Sequence, residues 1–152
     1  MTKQSLELPT DRQGWESLLA KMVPHDPQNQ WYLSPNIPQK KLDRAIRKYA
    51  SGLQPGDVLA LMDGTVFGSA HMGVLLTTEG VHYRRSGEGG AIRWSEISEA
   101  KSVGSAEIDI TTTQGSRLRI SCGVGLLVRD RLQKLVNLVA HRGTADANQM
   151  GS

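Results

Sequence analysis

Two groups of side chains in this sequence have the types and spacing for chemistry. Five cations, Lys40, Lys41, Arg44, Arg47 and Lys48, precede a short loop that holds Asp63, Thr65, Ser69 and His71. At 100° per residue the cations share one face of a helix, opposite Leu42, Ala45, Ile46 and Tyr49. The plain reading of such a face is a solvated surface; the functional one is a binding surface, with an anionic membrane leaflet as its specific form. A carboxylate, two hydroxyls and an imidazole in one loop suit a small acid–base or ligand site. Yet Asp-Gly and Gly-Ser are also what a tight turn needs, so structure is the favoured reading, with the Asp63 carboxylate capping N–H groups of its own loop.

The other reactive residues do not gather. His25, His71, His82 and His141 lie far apart, no nucleophile occupies an elbow motif, and the single Cys122 excludes an internal disulfide and every paired-cysteine metal motif. Glu107 and Asp109 resemble a carboxylate pair, but Arg119 is expected across the hairpin from Asp109, which makes it structural. The run Gly87-Glu88-Gly89-Gly90 is followed by strand-like residues rather than a helix, so it is expected to be a flexible loop and not a phosphate cradle. No catalytic residue, metal or cofactor is predicted.

The elements that must position these groups follow from composition and pattern. With 152 residues, 38% apolar and 22% charged, the chain suits one ordinary domain with its own core. Neither a leader-like start nor an apolar run of spanning length is present, which predicts a cytoplasmic protein. The charge is +3, with a pI near 9.2. Five of the 18 basic residues and one of the 15 acidic residues fall between 36 and 50, and the 13 and 14 left elsewhere nearly cancel. Basicity therefore belongs to one segment, which disfavours a broad nucleic-acid surface.

In chain order, Thr10 is a candidate N-cap for a short helix whose stripe is Trp15, Leu18, Leu19 and Met22. That stripe is expected to dock on the domain. Val23 to Pro38, with four prolines, reads as an irregular connection pinned by Trp31 and Tyr32. The basic helix spans 38–51. Seven strands are predicted near 58–63, 73–77, 81–85, 91–94, 99–103, 106–112 and 116–121. Thr78-Glu79-Gly80 and Thr113-Gln114-Gly115 read as three-residue hairpin loops with a left-handed glycine, setting Leu75 opposite Tyr83, Ile110 opposite Leu118 and Ile108 opposite Ile120. A helix over about 126–141 follows, with Val128, Leu132, Leu135, Val136 and Val139 buried and Asp130, Gln133, Lys134 and Asn137 facing water.

The run LALMDGTVFGSAHMGVLLTTEGVHYR, then Ile92-Arg93-Trp94-Ser95-Glu96-Ile97, resembles bacterial PH-like (GRAM-type) domains of poorly assigned function, and IPQKKLDRAIRKYA is similar to the basic helix that often precedes them. The likeness spans roughly residues 37–140. It implies an α+β fold: a PH-like seven-stranded antiparallel barrel or sandwich capped by a C-terminal helix, with two N-terminal helices in this chain. The expected organisation is an N-terminal helix and proline-rich extension over 1–36, which the resemblance leaves unexplained, the PH-like domain with its preceding basic helix over 37–142 and, for want of periodicity, a disordered tail over 143–152. Phosphoinositide-binding relatives carry cations in the first loop, where this chain has His71 and an acid. The expected function is a non-enzymatic module for protein or peptide recognition, by strand addition beside Ala100, Lys101, Ser102 and Val103. Anionic lipid bound by the basic helix is the alternative, a small-ligand or enzymatic site in the 63–73 loop a further one, and nucleic acid is disfavoured because no aromatic platform accompanies the helix.

Overall fold

The computed structural model describes residues 9, 11–63, 72–85, 88–104, 107–121 and 129–140. Its elements are α1 (Arg12–Met22), β1 (Trp31–Leu33), α2 (Gln39–Tyr49), β2 (Val58–Asp63), β3 (Gly73–Thr77), β4 (Gly80–Arg85), β5 (Glu88–Arg93), β6 (Ile97–Val103), β7 (Glu107–Thr112) and β8 (Arg117–Ser121). A last helix, α3, occupies residues 129–140. Among the described residues the fold is α+β, with three α-helices and two antiparallel sheets, β1-β2-β3-β4-β5 and β6-β7-β8. Among the described residues no strand pairing closes the two sheets into a barrel, and the strands number eight rather than seven.

Continuous apolar runs make the centre of the larger sheet. Every residue of β2 and β3 is buried, so this hairpin is covered on both faces. On the inner face Leu59, Met62, Val74, Leu76, Val81 and Ile92 join the main core with Ile97, Ile108, Ile110, Leu118 and Ile120 of the second sheet and Leu132, Leu135, Val136 and Val139 of α3. On the outer face Val58, Leu61, Leu75 and Tyr32 meet Leu42 and Ala45 of α2 in a smaller core.

The first helix belongs to the main core. Trp15 and Leu19 are buried there, and the Trp15 ring stacks on Trp94 with centroids 5.8 Å apart. Leu18 and Met22 pack partly buried against the same cluster. Its N-cap is Asp11, whose carboxylate accepts from Gly14 N at 2.8 Å, in place of the expected Thr10. Arg12 fastens this end: its guanidinium donates to Ser34 Oγ and Val58 O, each at 2.9 Å, and to Gly56 O.

Two segments expected outside the strands belong to them. Trp31–Leu33, read as irregular connection, is a strand on the β2 edge, with Trp31 opposite Met62 and its indole N–H donating to Val23 O at 2.8 Å. A proline-rich setting hid it, since three residues are too few to show a period. Glu88, Gly89 and Gly90, expected in a flexible loop, begin β5 opposite Arg85, Arg84 and Tyr83; an added Cβ on Gly90 would lie 2.8 Å from the Tyr83 hydroxyl oxygen. The Tyr83 ring thus fills the space that a side chain at 90 would take.

The hairpin registers differ in outcome. β7 and β8 pair as expected, Ile110 with Leu118 and Ile108 with Ile120, and Gly115 has the left-handed φ of 89° that the loop needs. Asp109 meets Arg119 in a two-pronged contact at 2.8 and 3.1 Å, whose hydrogen bond holds the Asp109 carboxyl below its ordinary range. In the β3–β4 hairpin Tyr83 faces Val74, and His82 faces Leu75. The Thr77 hydroxyl accepts from the N–H groups of both Glu79 and Gly80 at 3.1 Å, closing a turn one residue shorter than expected. One residue of slip exchanges the faces.

Gly80 is required for closeness rather than for a left-handed turn: a Cβ there would stand 2.2 Å from the Ile92 carbonyl oxygen, whereas one on Gly56 would meet nothing. Gly80→Ala should destabilise the protein by about 1–3 kcal/mol, and Gly56→Ala by no more than about 0.5 kcal/mol. Urea unfolding of both variants checks this; equal midpoints would contradict the close contact.

Candidate functional site

The basic helix is positioned by a charge pair. Lys41 Nζ lies 2.5 Å from Asp63 Oδ2, the carboxylate side chain being fully buried, and 5.6 Å from the centroid of the Tyr32 ring. Asp63 therefore engages α2; the cap on N–H groups of its own loop that the sequence suggests would involve residues 64–71, which lie outside the described residues. The Tyr49 hydroxyl is buried nearby without a hydrogen-bond partner. Burial, and then the negative charge of Asp63, push its proton affinity well above that of an ordinary phenol, so Tyr49 stays neutral.

Lys41 thus turns inward from the face on which it was expected to stand with the others. Lys40, Arg44, Arg47 and Lys48 are exposed, and Arg47 and Lys48 lie in the last helical turn, where cations also suit the helix dipole. The other residues expected in the first loop, Thr65, Ser69 and His71, lie outside the described residues, as do Cys122, Val128, His141 and the 143–152 tail.

The strand edge expected to receive a peptide is already covered. Ala100 N donates to Asn137 Oδ1 at 2.7 Å, Asn137 Nδ2 donates to Ala100 O at 2.9 Å, and Ser102 N donates to Gln133 Oε1 at 2.6 Å. The Ser102 hydroxyl also donates to Gln133 Oε1, and to Asp130 Oδ1 at 3.2 Å. Two strand residues advance about 6.7 Å and one helical turn of four residues about 6 Å, so amides at 133 and 137 match alternate strand residues. Gln133 and Asn137 therefore face β6 instead of water, and Ala100–Val103 offers no free backbone edge at Ala100 or at the Ser102 N–H. Lys101 remains exposed, and Val103 is half-buried.

A different concavity combines α2 with the larger sheet. It is a cleft of about 470 Å³ lined by Arg47, Lys48, Tyr49 and Ser51 at the end of α2 and by Arg84, Gly89 and Gly90 of β4 and β5. Arg84 reaches it because β4 pairing sets it opposite Gly73 and Gly89 on the outer face, the face that α2 covers. Sequence reasoning missed Arg84, since its neighbourhood is created by the strand register. His82 shares that face and is half-buried; burial lowers its pKa, with Glu79 partly opposing. Because burial disfavours the imidazolium, protonating His82 costs stability, a loss that begins as pH falls below the ordinary imidazole value and is complete once pH is below the lowered one.

Compared with family models, curated proteins and solved structures, the chain matches none of them. Among the described residues, no group of three or more His, Cys, Asp or Glu is arranged to hold a metal ion, and no helix is long and apolar enough to cross a membrane.

Removing Lys41 takes its cation away from a fully buried carboxylate. Lys41→Met should cost about 3–5 kcal/mol, and adding Asp63→Asn should restore part of the loss; a single variant as stable as the parent in urea unfolding would show that the pair is not buried as described. Asn137→Ala should cost about 1–3 kcal/mol, because it strips both partners from Ala100. It should also speed hydrogen exchange at the Ala100 amide. Unchanged exchange there would contradict the role of Asn137 in covering the edge.

Proposed function

We propose that this chain is a non-enzymatic binding module of PH-like, GRAM-type architecture that recognises a protein or peptide carrying acidic residues. The element order supports the architectural part: β2–β5 supply four consecutive antiparallel strands, β6–β8 supply three more, and α3 packs its apolar face into the core between them. In that reading β1 and α1 are additions at the β2 side.

The observation that carries the functional part is the cleft between α2 and β4–β5, where Arg47, Lys48 and Arg84 converge from separate elements. Cations on one helix alone are ordinary surface. Here strand pairing adds a third beside them, and the buried Lys41–Asp63 pair fixes the helix that presents the others. Such a surface favours carboxylates through charge and steers their approach.

A second reading has its own observation. Lys40, Arg44, Arg47 and Lys48 are all exposed on α2, and each cation near an anionic leaflet contributes about 1 kcal/mol. The two readings separate in one experiment on the full chain, with a fluorescein-labelled octapeptide alternating Glu and Val and with phosphatidylserine vesicles as probes. Peptide binding should weaken as salt rises and fall at least tenfold in Arg47→Glu/Lys48→Glu. Vesicle binding without peptide binding, abolished by Lys40→Glu/Arg44→Glu/Lys48→Glu, would replace the peptide reading by the lipid one. Binding of neither probe would overturn both.

A further inference from the structure

Among the described residues the larger sheet ends at β5, and its outer edge contrasts with that of β6. Trp94 N donates to Glu79 O at 3.1 Å, in line with the β4–β5 register. Because bonded and non-bonded pairs alternate in an antiparallel ladder, Ile92, Gly90 and Glu88 turn their backbone groups toward β4, while Arg93, Ala91 and Gly89 turn theirs outward. The Arg93 N–H is taken by Glu96 Oε1 at 2.9 Å. That leaves Gly89 and Ala91, two exposed residues with donor and acceptor directed away from the sheet.

The same residues adjoin the cationic cleft. Gly89 lines it and lies opposite Arg84, whose Cβ and Cγ would be 3.7 Å from any Cβ added at 89. Glu88 alternates with Gly89 and so occupies the other face of the strand. An incoming strand paired antiparallel to β5 would present, at the residues whose N–H groups face Gly89 and Ala91, side chains on the Arg84 side. Backbone pairing and charge pairing then fall on the same residues of the partner.

We propose that an extended acidic peptide segment adds as an antiparallel strand to β5 at Gly89–Ala91, placing alternate carboxylates against Arg84, Arg47 and Lys48. This rests on the reading of the cleft as a peptide site and specifies how the peptide lies. Four backbone groups at two residues make a short edge, so the charge contacts supply selectivity for acid at every second position.

The test uses the full chain and the Glu/Val octapeptide, followed by fluorescence anisotropy. N-methylation of the Glu residues removes the N–H groups that would face β5 and should weaken binding at least tenfold, while N-methylation of the Val residues should leave it within about threefold. Ala91→Pro removes an N–H that the β4 ladder does not use, so the variant should fold and lose binding at least tenfold. The methylated peptides keep the test decisive if that variant does not fold. Equal binding of both methylated forms, with binding still abolished by Arg47→Glu/Lys48→Glu, would overturn strand addition and leave the cationic cleft standing. Loss on Val methylation but not on Glu methylation would overturn the antiparallel arrangement. No binding of the unmodified peptide at millimolar concentration would overturn this proposal and the cleft reading together.

Discussion

The β2–β3 hairpin is buried on both faces, and this constraint sets the arrangement of everything around it. A sheet with one solvated face needs a single cover; this one needs two. The inner cover is the second sheet with α1 and α3, and the outer cover is α2. Since α2 must lie on the outer face, its polar side looks away from the core, and its cations stand where β4 and β5 emerge from beneath it. The cleft is thus a by-product of covering a two-faced hairpin with one helix that is narrower than the sheet.

Polar groups drawn into these layers are paired by residues far away in sequence. Asp63 ends β2 and meets Lys41 of α2; Trp94 follows β5 and donates its indole N–H to Thr77 O at 3.1 Å. Arg12 joins the start of α1 to Ser34 and to the segment entering β2. Each contact satisfies a donor or acceptor that the layers remove from water, and together they fix how the covers sit.

Much of this architecture was legible in the sequence because it follows from local pattern. β2 and β3 were found at their observed bounds, as continuous apolar runs flanked by turn residues. Ile108 and Ile110 alternate with polar neighbours, and Gly115 marks its turn. α1 and α2 showed themselves through apolar residues at helical spacing. What stayed hidden depends on distant partners. β1 is strand only because β2 lies beside it, and Glu88 to Gly90 become strand because β4 and Tyr83 hold them. The inward turn of Lys41 depends on a carboxylate that the helix pattern does not contain. Arg84 joined the site through pairing with Gly89, and the closure of β6 through amides that a helical wheel assigns to solvent. Composition located the basic segment; tertiary contact decided which of its cations stayed outside.

The cover on β6 has a consequence beyond the packing of one helix. Gln133 and Asn137 imitate a neighbouring strand, meeting alternate residues with side-chain amides while Leu132, Leu135, Val136 and Val139 fill the core. A molecule from which α3 detaches would expose an unpaired strand edge and an apolar sheet face at the same place. Those are the two surfaces from which edge-to-edge polymerisation grows. The amide pair therefore acts as a chain terminator for the sheet: it supplies the hydrogen bonds of one more strand without supplying an edge to which the next could add.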